Sequence, residues 1–349
     1  MSQTFDIEIG LDLHKNFSVL AAIDQSGQLL SMNKLTNNTI YFDNYFKHLN
    51  SHSFRVTFEA TRGFYWLADY LTKKKIPFIV SNPFLNRAIA NVHAKNDKFD
   101  AKILADLTRT NLIARCYVAS VKIRELREII SHRNKLVQIS TKLKNKIHLI
   151  LAQYNYIPPY SEMFGPNGIS WILSKKYSEV NLNIIKETLD FLDVLKPKIL
   201  ALERTIKEKV HEHPYYRLLL TVPGIGVLNA AVIISRIEDI NRFPKVDKFI
   251  RYAGLSVNTR ASADKIHLGK LNKRSDKYLR TVFVEAAITA VQKDPGLSEF
   301  YKYLKSQKGN GIARVAVARK LARSVYFVLK KSEPYHFRSI QPKWDHSSG

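Results

Sequence analysis

The first hundred residues contain a succession of short segments that restricts this part of the chain to an α/β sheet domain. Alternating or short apolar runs, typical of strands, are separated by turn residues and by two helix-like segments. Three consecutive strands followed by strand–helix–strand units predict a meander that is extended by parallel strands with crossover helices. The strands are predicted at 5–12, 17–23, 29–35, 54–59 and 77–80, and the helices at 39–49 and 64–75.

Two acids stand at the ends of predicted strands, and two more open a later helix. Asp12 follows the first strand and Glu59 ends the fourth, while Asp97 and Asp100 lie three residues apart on one helix face. Sites in α/β sheets form at the C-terminal ends of strands, and neighbouring carboxylates repel one another unless they bind a cation. This acid pattern is typical of ribonuclease-H-like, two-metal nucleases and predicts a site for a hard ion such as Mg²⁺.

Each of these acids also has an ordinary structural explanation, which the residues alone leave open. Asp12 is a suitable turn residue, and Asp97 and Asp100 can be favourable charges in the first turn of a helix. Other acids are expected to serve turns or the surface instead of the site, namely Glu8, Asp24 and Asp106.

The charge balance predicts a polyanionic partner. Lys and Arg number 55 against 30 Asp and Glu, which gives a formal net charge of +25. Nucleic acid is the first candidate, and a ribosome-like or an anionic-membrane partner is the alternative. No apolar run is long enough to predict a transmembrane helix, the N-terminal residues lack a secretory pattern, and the single Cys116 excludes a disulfide within the chain. We therefore expect a cytosolic protein that does not act at a membrane.

The middle of the chain predicts two long helices. Apolar residues recur at spacings of three and four along 119–153, and Lys and Arg fill the other faces. A second segment, 185–210, has the same rhythm and contains Pro197, which can kink a helix. Residues 154–180 predict an irregular connection. We expect a coiled-coil-like helical arm that contacts nucleic acid or a second subunit, with a solvated helical hairpin as the alternative.

The last third of the chain predicts a mostly helical domain. Two helices flank the turn 223–226, which resembles a helix-hairpin-helix, where backbone N–H groups at a helix start bind a phosphate. A polar, basic stretch follows at 256–274, and further helices are predicted from about 277 to 291 and at 312–331. Nucleic-acid contacts are predicted from the turn glycines and from later basic residues, namely Gly224, Gly226, Arg260, Lys265, Lys270, Lys273, Arg274 and Arg280.

Short motifs occur in a characteristic order along the chain. They lie at 9–12, 58–63, 82–83 and 96–101, and again at 222–226, 242–243, 252–255 and 271–280. Together they resemble the DEDD transposases of bacterial insertion sequences and the related Piv-type DNA invertases. The resemblance implies an RNase H-like (RuvC-like) α/β domain, a helical arm and a mostly α transposase domain that carries a serine. The expected parts are 1–118 for the catalytic domain, 119–213 for the arm, 214–334 for the C-terminal domain and 335–349 for a frayed tail.

The resemblance also implies which residues act. The family's acids fall on Asp12, Glu59, Asp97 and Asp100, which would be both catalytic residues and metal ligands. The family's serine falls on Ser262. The chain departs from the family pattern at Ala263 and Ser275, because glycine is usual at both positions. Ser256 is the nearest competing hydroxyl and is expected to lie in a loop.

The implied reaction is DNA recombination. The serine would attack a DNA phosphodiester, form a covalent link and release a 3′-hydroxyl, with Mg²⁺ bound at a two-metal DEDD site. The implied partners are donor and target DNA, a structured guide RNA called bridge RNA, and further copies of the chain in a dimer or tetramer. The implied location is the bacterial cytoplasm, at the nucleoid. The alternatives are a junction-type endonuclease that uses a metal and water, a site-specific DNA invertase without an RNA guide, and a non-catalytic nucleic-acid scaffold.

Overall fold

The computed structural model describes most of the chain, which separates into two compact units, Met1–Ala119 and Ser120–Gly349. The described residues are 5–49, 51–90, 97–262, 265–271 and 275–337. For 87–90, 97–99, 257–262 and 265–271, the description is limited to the backbone. Across this described part, no helix combines the length and the apolar character that crossing a membrane requires.

The N-terminal unit is built on a mixed five-stranded sheet. Its strands are β1 (Ile7–Leu13), β2 (Phe17–Asp24), β3 (Leu29–Thr36), β4 (Phe54–Glu59) and β5 (Phe78–Ser81). They lie in the order β3-β2-β1-β4-β5, with antiparallel pairs β1–β2 and β2–β3 and parallel pairs β1–β4 and β4–β5. The predicted α/β domain, a meander extended by parallel strands, is therefore confirmed.

Helices pack on both faces of this sheet. The described ones are α1 (Thr39–Lys47), α2 (Tyr65–Lys73), α3 (Pro83–Ala90) and α4 (Asp97–Arg109). On one face, Ile9 and Leu11 of β1 form a core with Phe42 of α1 and Leu67 of α2. Each such side chain contributes about 1.5–3 kcal/mol when it is removed from water. Because side chains alternate along a strand, the neighbours of Ile9 and Leu11 in β1 lie on the opposite face of the sheet, away from α1 and α2.

Helix α3 was not predicted from the sequence. It begins directly after β5, where the side chain of Asn82 accepts hydrogen bonds from the backbone N–H groups of Phe84 and Leu85 at 3.0 and 3.3 Å. An Asn cap followed by Pro83 at the first helical position is a recognised start signal for a helix. The signal was present in the sequence, but the helix is short enough for it to be taken as a connection.

Helix α4 covers the opposite face of the sheet and approaches β1 at Gly10. A Cβ atom added at Gly10 would lie 1.8 Å from the carbonyl oxygen of Ala101 and 2.7 Å from the nitrogen of Ala105. Only glycine therefore permits this packing. At the other end of α4, Arg109 donates to the carbonyl oxygen of Gln25. Gln25 directly follows the last residue of β2, and that residue pairs with the first residue of β1. Helix α4 thus runs antiparallel to β1.

The C-terminal unit begins with a long helical hairpin. Its helices are α5 (Val121–Gln153), α6 (Pro166–Leu173) and α7 (Glu179–His211). The side chain of Lys209 lies 3.3 Å from Glu125, and that of Arg133 donates to Glu203 at 3.0 Å. These pairings show that α5 and α7 are antiparallel. Helix α7 continues through Pro197, and α6 lies in the region that was predicted to be irregular.

The remainder of this unit is mostly helical, as predicted. Its helices are α8 (Pro214–Leu220), α9 (Val227–Ile237), α10 (Val246–Tyr252), α11 (Lys277–Lys293) and α12 (Pro295–Lys331). Helix α12 starts well before the predicted 312, although it is broken at Gly309, where φ is +79°. The first residue of the predicted tail also differs from expectation. Tyr335 is buried, and its hydroxyl donates to Asp294 at 2.6 Å.

A two-stranded hairpin interrupts these helices. It consists of β6 (Val257–Ser262) and β7 (Lys265–Leu271), paired antiparallel. The sequence predicts a polar stretch at 256–274 and does not predict these strands. The weak signal that was missed is the alternation of Ile266 and Leu268 with polar neighbours.

Candidate active site

Asp12 and Glu59 lie at the ends of two neighbouring parallel strands. The last register pairs of β1 and β4 are Gly10 with Thr57 and Leu11 with Phe58, so the next step places Asp12 opposite Glu59. Side chains alternate between the faces of a strand, and Gly10 contacts α4. Asp12 therefore shares the α4 face of the sheet. On β4, the hydroxyl of Thr108 in α4 donates to Thr57 at 2.9 Å, which places Glu59 on that face as well.

The other two predicted acids lie in the first turn of α4. Asp97 is the first residue of this helix, four positions before Ala101, and Asp100 is four positions before the buried Leu104. Because α4 runs antiparallel to β1, this turn lies towards the strand end that carries Asp12. The side chain of Asp100 is half-buried, and that of Asp97 lies outside the described residues. We refer to these strand ends and the first turn of α4 as the acid edge.

The carboxylate of Asp12 contacts a histidine that the sequence analysis did not select. Nε2 of His14 lies 3.0 Å from Oδ2 of Asp12, and the Asp12 side chain is 21% exposed. The His14 ring stacks on the Phe17 ring, with 4.5 Å between the ring centroids. The backbone carbonyl oxygen of His14 accepts a hydrogen bond from the side-chain amide of Asn37. A polar residue two positions after an acid at a strand end was the available signal, since such residues share a face.

The carboxylate of Glu59 accepts a hydrogen bond from α3 and acts electrostatically on Cys116. The side-chain amide of Asn86, in α3, donates to Oε1 of Glu59 at 3.3 Å. Burial, and then the negative charge of Glu59, raises the pKa of the Cys116 thiol. No periodicity or motif in the sequence pointed to Asn86, because its role depends on how α3 packs against the strand ends.

The acids that were expected to lie outside the site do so, although one of them is neither in a turn nor on the surface. Glu8 is buried in the sheet and forms two hydrogen bonds with Arg55, at 2.6 and 3.1 Å. Burial raises the pKa of Glu8, and Arg55 opposes that rise. Asp24 accepts hydrogen bonds in the turn after β2, and Asp106 lies 3.2 Å from Arg109 on the surface of α4.

The side chains predicted at the acid edge are of a type suited to a divalent metal. All four predicted ligands are carboxylates, and hard ions such as Mg²⁺ prefer oxygen donors. Among the described side chains, which exclude Asp97, no three His, Cys, Asp or Glu residues lie together as a metal-binding group. The oxygen donors thus fit the metal in type, but the three predicted ligands whose side chains are described, Asp12, Glu59 and Asp100, do not form such a group.

The predicted nucleophile lies at the tip of the hairpin. Ser262 is the last residue of β6, and its register partner is Lys265, the first residue of β7. Arg260 and Lys270 lie on the same two strands. Of these residues the backbone alone is described. Three positions from the sequence analysis lie outside the described residues, namely Ala263, Lys273 and Arg274.

The base of the hairpin is held by contacts between the segments that enter and leave it. Gly254 has φ of +72°, and a Cβ atom added there would lie 2.3 Å from Oγ of Ser275. Arg280 donates to Ser275 at 3.4 Å, and the backbone N–H of Asp276 donates to the carbonyl oxygen of Tyr252 at 3.0 Å. We refer to these residues as the hairpin base. The serine at 275 is accommodated because Gly254 has no side chain.

The two turn glycines have different surroundings. Gly224 has φ of +82°, and an added Cβ would lie 2.2 Å from the carbonyl oxygen of Ala286, so this glycine is needed for packing against α11. Gly226 precedes the first residue of α9, and no described atom lies within 4 Å of the position of its added Cβ. Only Gly226 therefore combines open surroundings with a helix start, which is the arrangement suited to a phosphate.

Two family profiles match the chain. A transposase profile of the IS110 DEDD type matches residues 9–156, a range that includes all four predicted acids. A profile described as the transposase IS116/IS110/IS902 family matches residues 216–302, which include Ser262. The chain belongs to the DEDD-type IS110/IS116 transposases. It is therefore a DNA transposase of an insertion sequence, and membership implies that it depends on a divalent metal.

Curated relatives of the transposase have related names. A probable family 20 transposase of Pseudomonas aeruginosa is 23% identical over 69% of this chain and 74% of the relative. The transposase for insertion sequence element IS1111A of Coxiella burnetii is also 23% identical, over 69% of this chain and 68% of the relative. A pilin gene-inverting protein of Moraxella bovis is 26% identical over 83% of this chain and 84% of the relative. The similarity to both transposases and an inverting protein is the relationship that the sequence motifs implied.

Proposed function

We propose that the transposase cuts and rejoins DNA through a covalent intermediate on Ser262, and that its acid edge binds Mg²⁺. The observation that carries this proposal is the placement of Asp12 and Glu59 at adjacent strand ends, on the face covered by α4. Helix α4 brings Asp100 to the same end of the sheet. The site consists of four carboxylates with the roles of metal ligands, namely Asp12, Glu59, Asp97 and Asp100.

The chemistry assigned to the chain is a transesterification. The hydroxyl oxygen of Ser262 forms a bond to the DNA phosphorus, and the bond from phosphorus to the 3′ oxygen breaks. The proton of the serine is delivered to the leaving oxygen, which gives a 3′-hydroxyl. A 3′-hydroxyl of another strand reverses these steps and rejoins the DNA. The carboxylates of the acid edge would hold Mg²⁺, in the two-metal form proposed here, and the bound metal would supply positive charge near the phosphate oxygens.

The nucleic-acid contacts are assigned to residues of the C-terminal unit, namely the turn glycines Gly224 and Gly226 and the basic residues Arg260, Lys265, Lys270, Lys273, Arg274 and Arg280. The formal net charge of +25 favours a polyanion, and no described atom lies within 4 Å of a Cβ added at Gly226, directly before α9. We assign binding of donor and target DNA, and of a bridge RNA, to these residues. The architecture that accompanies the proposal is a RuvC-like domain at 1–118, a coiled-coil-like arm at 119–213 and a helix-hairpin-helix-like transposase domain at 214–334. The working state is a dimer or a tetramer.

A suicide DNA substrate with a nicked strand tests the nucleophile. With Mg²⁺, the wild-type protein is expected to form a covalent adduct with the DNA, and Ser262→Ala is expected to form none. Ser256→Ala is the matched control, because it removes the nearest competing hydroxyl and should leave the adduct intact. Absence of an adduct in the wild type, together with strand cleavage that survives Ser262→Ala, would assign the attack to water.

The guide RNA needs a separate measurement. RNA that co-purifies with the protein is sequenced after a high-salt wash, since non-specific contacts to phosphates weaken steeply with salt. A discrete, structured RNA is expected. Recovery of only heterogeneous RNA would favour a transposase that recognises DNA without a guide.

A further inference from the structure

We propose that Asn86 is a positioning residue that fixes the orientation of the Glu59 carboxylate for metal binding. This inference rests on the proposed function, because it takes Glu59 to be a metal ligand. It concerns a residue that no motif selects. The Asn86 side chain forms three hydrogen bonds, and their directions fix how its amide is oriented.

The side chain of Asn86 is 4% exposed and connects three segments of the N-terminal unit. Its Nδ2 donates to Oγ of Ser81, at the end of β5, at 2.9 Å. The same nitrogen donates to Oε1 of Glu59, at the end of β4, at 3.3 Å. Its Oδ1 accepts from the backbone N–H of Ala114 at 3.3 Å. Three of the four hydrogen-bonding capacities of the amide are therefore used.

The orientation of this amide follows from its partners. The backbone N–H of Ala114 can only donate, so the atom of Asn86 that faces it must be the oxygen. The hydroxyl of Ser81 donates to the carbonyl oxygen of Phe58 at 3.3 Å, which leaves a lone pair for Nδ2 of Asn86. The second Nδ2 hydrogen then points at Glu59. The surroundings thus hold an N–H donor at one fixed position beside the carboxylate.

Asn86 differs in kind from the partner of Glu8, a buried glutamate of β1 on the same face. Arg55 binds Glu8 with a guanidinium, whose positive charge compensates the carboxylate. The amide of Asn86 is neutral and orients one oxygen of Glu59 without cancelling its charge. Hydrogen bonds of this kind to metal-ligating carboxylates fix the ligand, and their loss typically costs about 10–100-fold in metal affinity or activity.

Binding of Mn²⁺ to the full-length protein in the absence of DNA tests the proposal. Mn²⁺ suits the same oxygen donors as Mg²⁺, and its binding is followed by water-proton relaxation. Asn86→Leu keeps the side-chain size and removes the donor. It is expected to weaken Mn²⁺ binding about tenfold and to raise the Mg²⁺ concentration needed for adduct formation by a similar factor.

Thr108→Val is the matched control. It removes the buried hydrogen bond to Thr57 on the same sheet face and leaves the contacts of Glu59 in place. We expect it to lower the melting temperature of the metal-free protein without changing Mn²⁺ affinity. An equal loss of affinity in both variants, or unchanged affinity in a folded Asn86→Leu, would overturn the proposal.

A third variant decides the question if Asn86→Leu does not fold. Ser81→Ala removes one acceptor of the amide while the donor to Glu59 remains, so a smaller loss of Mn²⁺ affinity supports the proposal and an unchanged affinity overturns it. Failure of the proposed function itself has a different signature. In that case, the wild type and Asp12→Asn would bind Mn²⁺ equally weakly, and Asn86→Leu would not change that weak affinity.

Discussion

The acid edge and the hairpin that carries Ser262 are built in different ways. The acid edge lies on a five-stranded sheet, under a helix that can approach only because residue 10 is glycine. The hairpin is a two-stranded ribbon, and two strands alone are marginally stable in water. Its described anchoring is at the base, around Gly254 and Ser275. Positions at the acid edge are thus fixed by packing, whereas the position of the serine depends on how the base is held.

This difference suits the chemistry that we propose for each region. Metal ligands must be held within a fraction of an ångström of their working positions, which rigid secondary structure does well. A nucleophile that becomes covalently linked to a DNA strand must fit that strand both when it is cut and when it is rejoined. A less rigid support suits this requirement. The comparison therefore predicts that substitutions at the acid edge act on metal binding, while substitutions at the hairpin base act on adduct formation.

The largest effect is expected from removing a charge at the acid edge. A metal contributes several kcal/mol to stabilising charge in a phosphoryl transition state. Asp12→Asn and Glu59→Gln should each slow adduct formation on the suicide substrate by about a thousandfold. Asp106→Asn is the control, because this acid lies on the surface of α4 beside Arg109. Full activity of Glu59→Gln would remove the basis for a metal site at these strand ends.

The second prediction tests whether packing defines the acid edge. In Gly10→Ala, the new Cβ would lie 1.8 Å from the carbonyl oxygen of Ala101, so α4 must move away from β1. Overpacking of this kind costs about 1–3 kcal/mol, which urea denaturation measures, and Mn²⁺ binding should weaken with it.

Gly226→Ala is the matched glycine control for Gly10→Ala. No described atom surrounds its added Cβ, and the cost at a helix cap should be less than about 1 kcal/mol. Equal destabilisation of the two variants would contradict the close approach of α4 to β1.

The same contrast explains how far the sequence could be interpreted. The five strands could be predicted because apolar periodicity and turn residues are local, and β4 has the predicted bounds of 54–59. The placement of Asp12 and Glu59 followed from the rule that sites form at strand ends. Asn86 could not be found, because it becomes significant only through its contacts with other segments. His14 could have been found from its position two residues after Asp12. The hairpin was missed because its sequence is mostly polar and contains few apolar residues to mark the alternation.

The third prediction concerns the hairpin base. In Gly254→Ala, the new side chain would clash with Oγ of Ser275, and φ of +72° is strained for alanine. Such strain costs about 1–3 kcal/mol. Adduct formation should fall severalfold while Mn²⁺ affinity is unchanged, which is the reverse of the pattern expected for Asn86→Leu.

A double variant shows whether the loss in Gly254→Ala arises at that contact. Ser275→Gly removes the clashing hydroxyl, so Gly254→Ala with Ser275→Gly should recover part of the adduct formation. Coupling between residues in contact is the result expected of a double-mutant cycle. Additive losses would place the effect of Gly254 elsewhere in the hairpin.

The smallest effect is expected at the opposite end of the sheet, where Asp24 of β2 pairs with Ile7 at the start of β1. Hydrogen bonds, chiefly from the Ser26 hydroxyl, lower the pKa of Asp24 below its ordinary value of 3.8. A lowered pKa means that the ionised form stabilises the fold above pH 3.8, and that this contribution is lost as the pH falls through the lowered pKa. Asp24→Asn should therefore lower the urea midpoint slightly at neutral pH, and the difference from wild type should vanish in acid. Adduct formation should be unaffected, because Asp24 lies at the strand end remote from Asp12; a large loss would contradict the assignment of catalysis to one edge of the sheet.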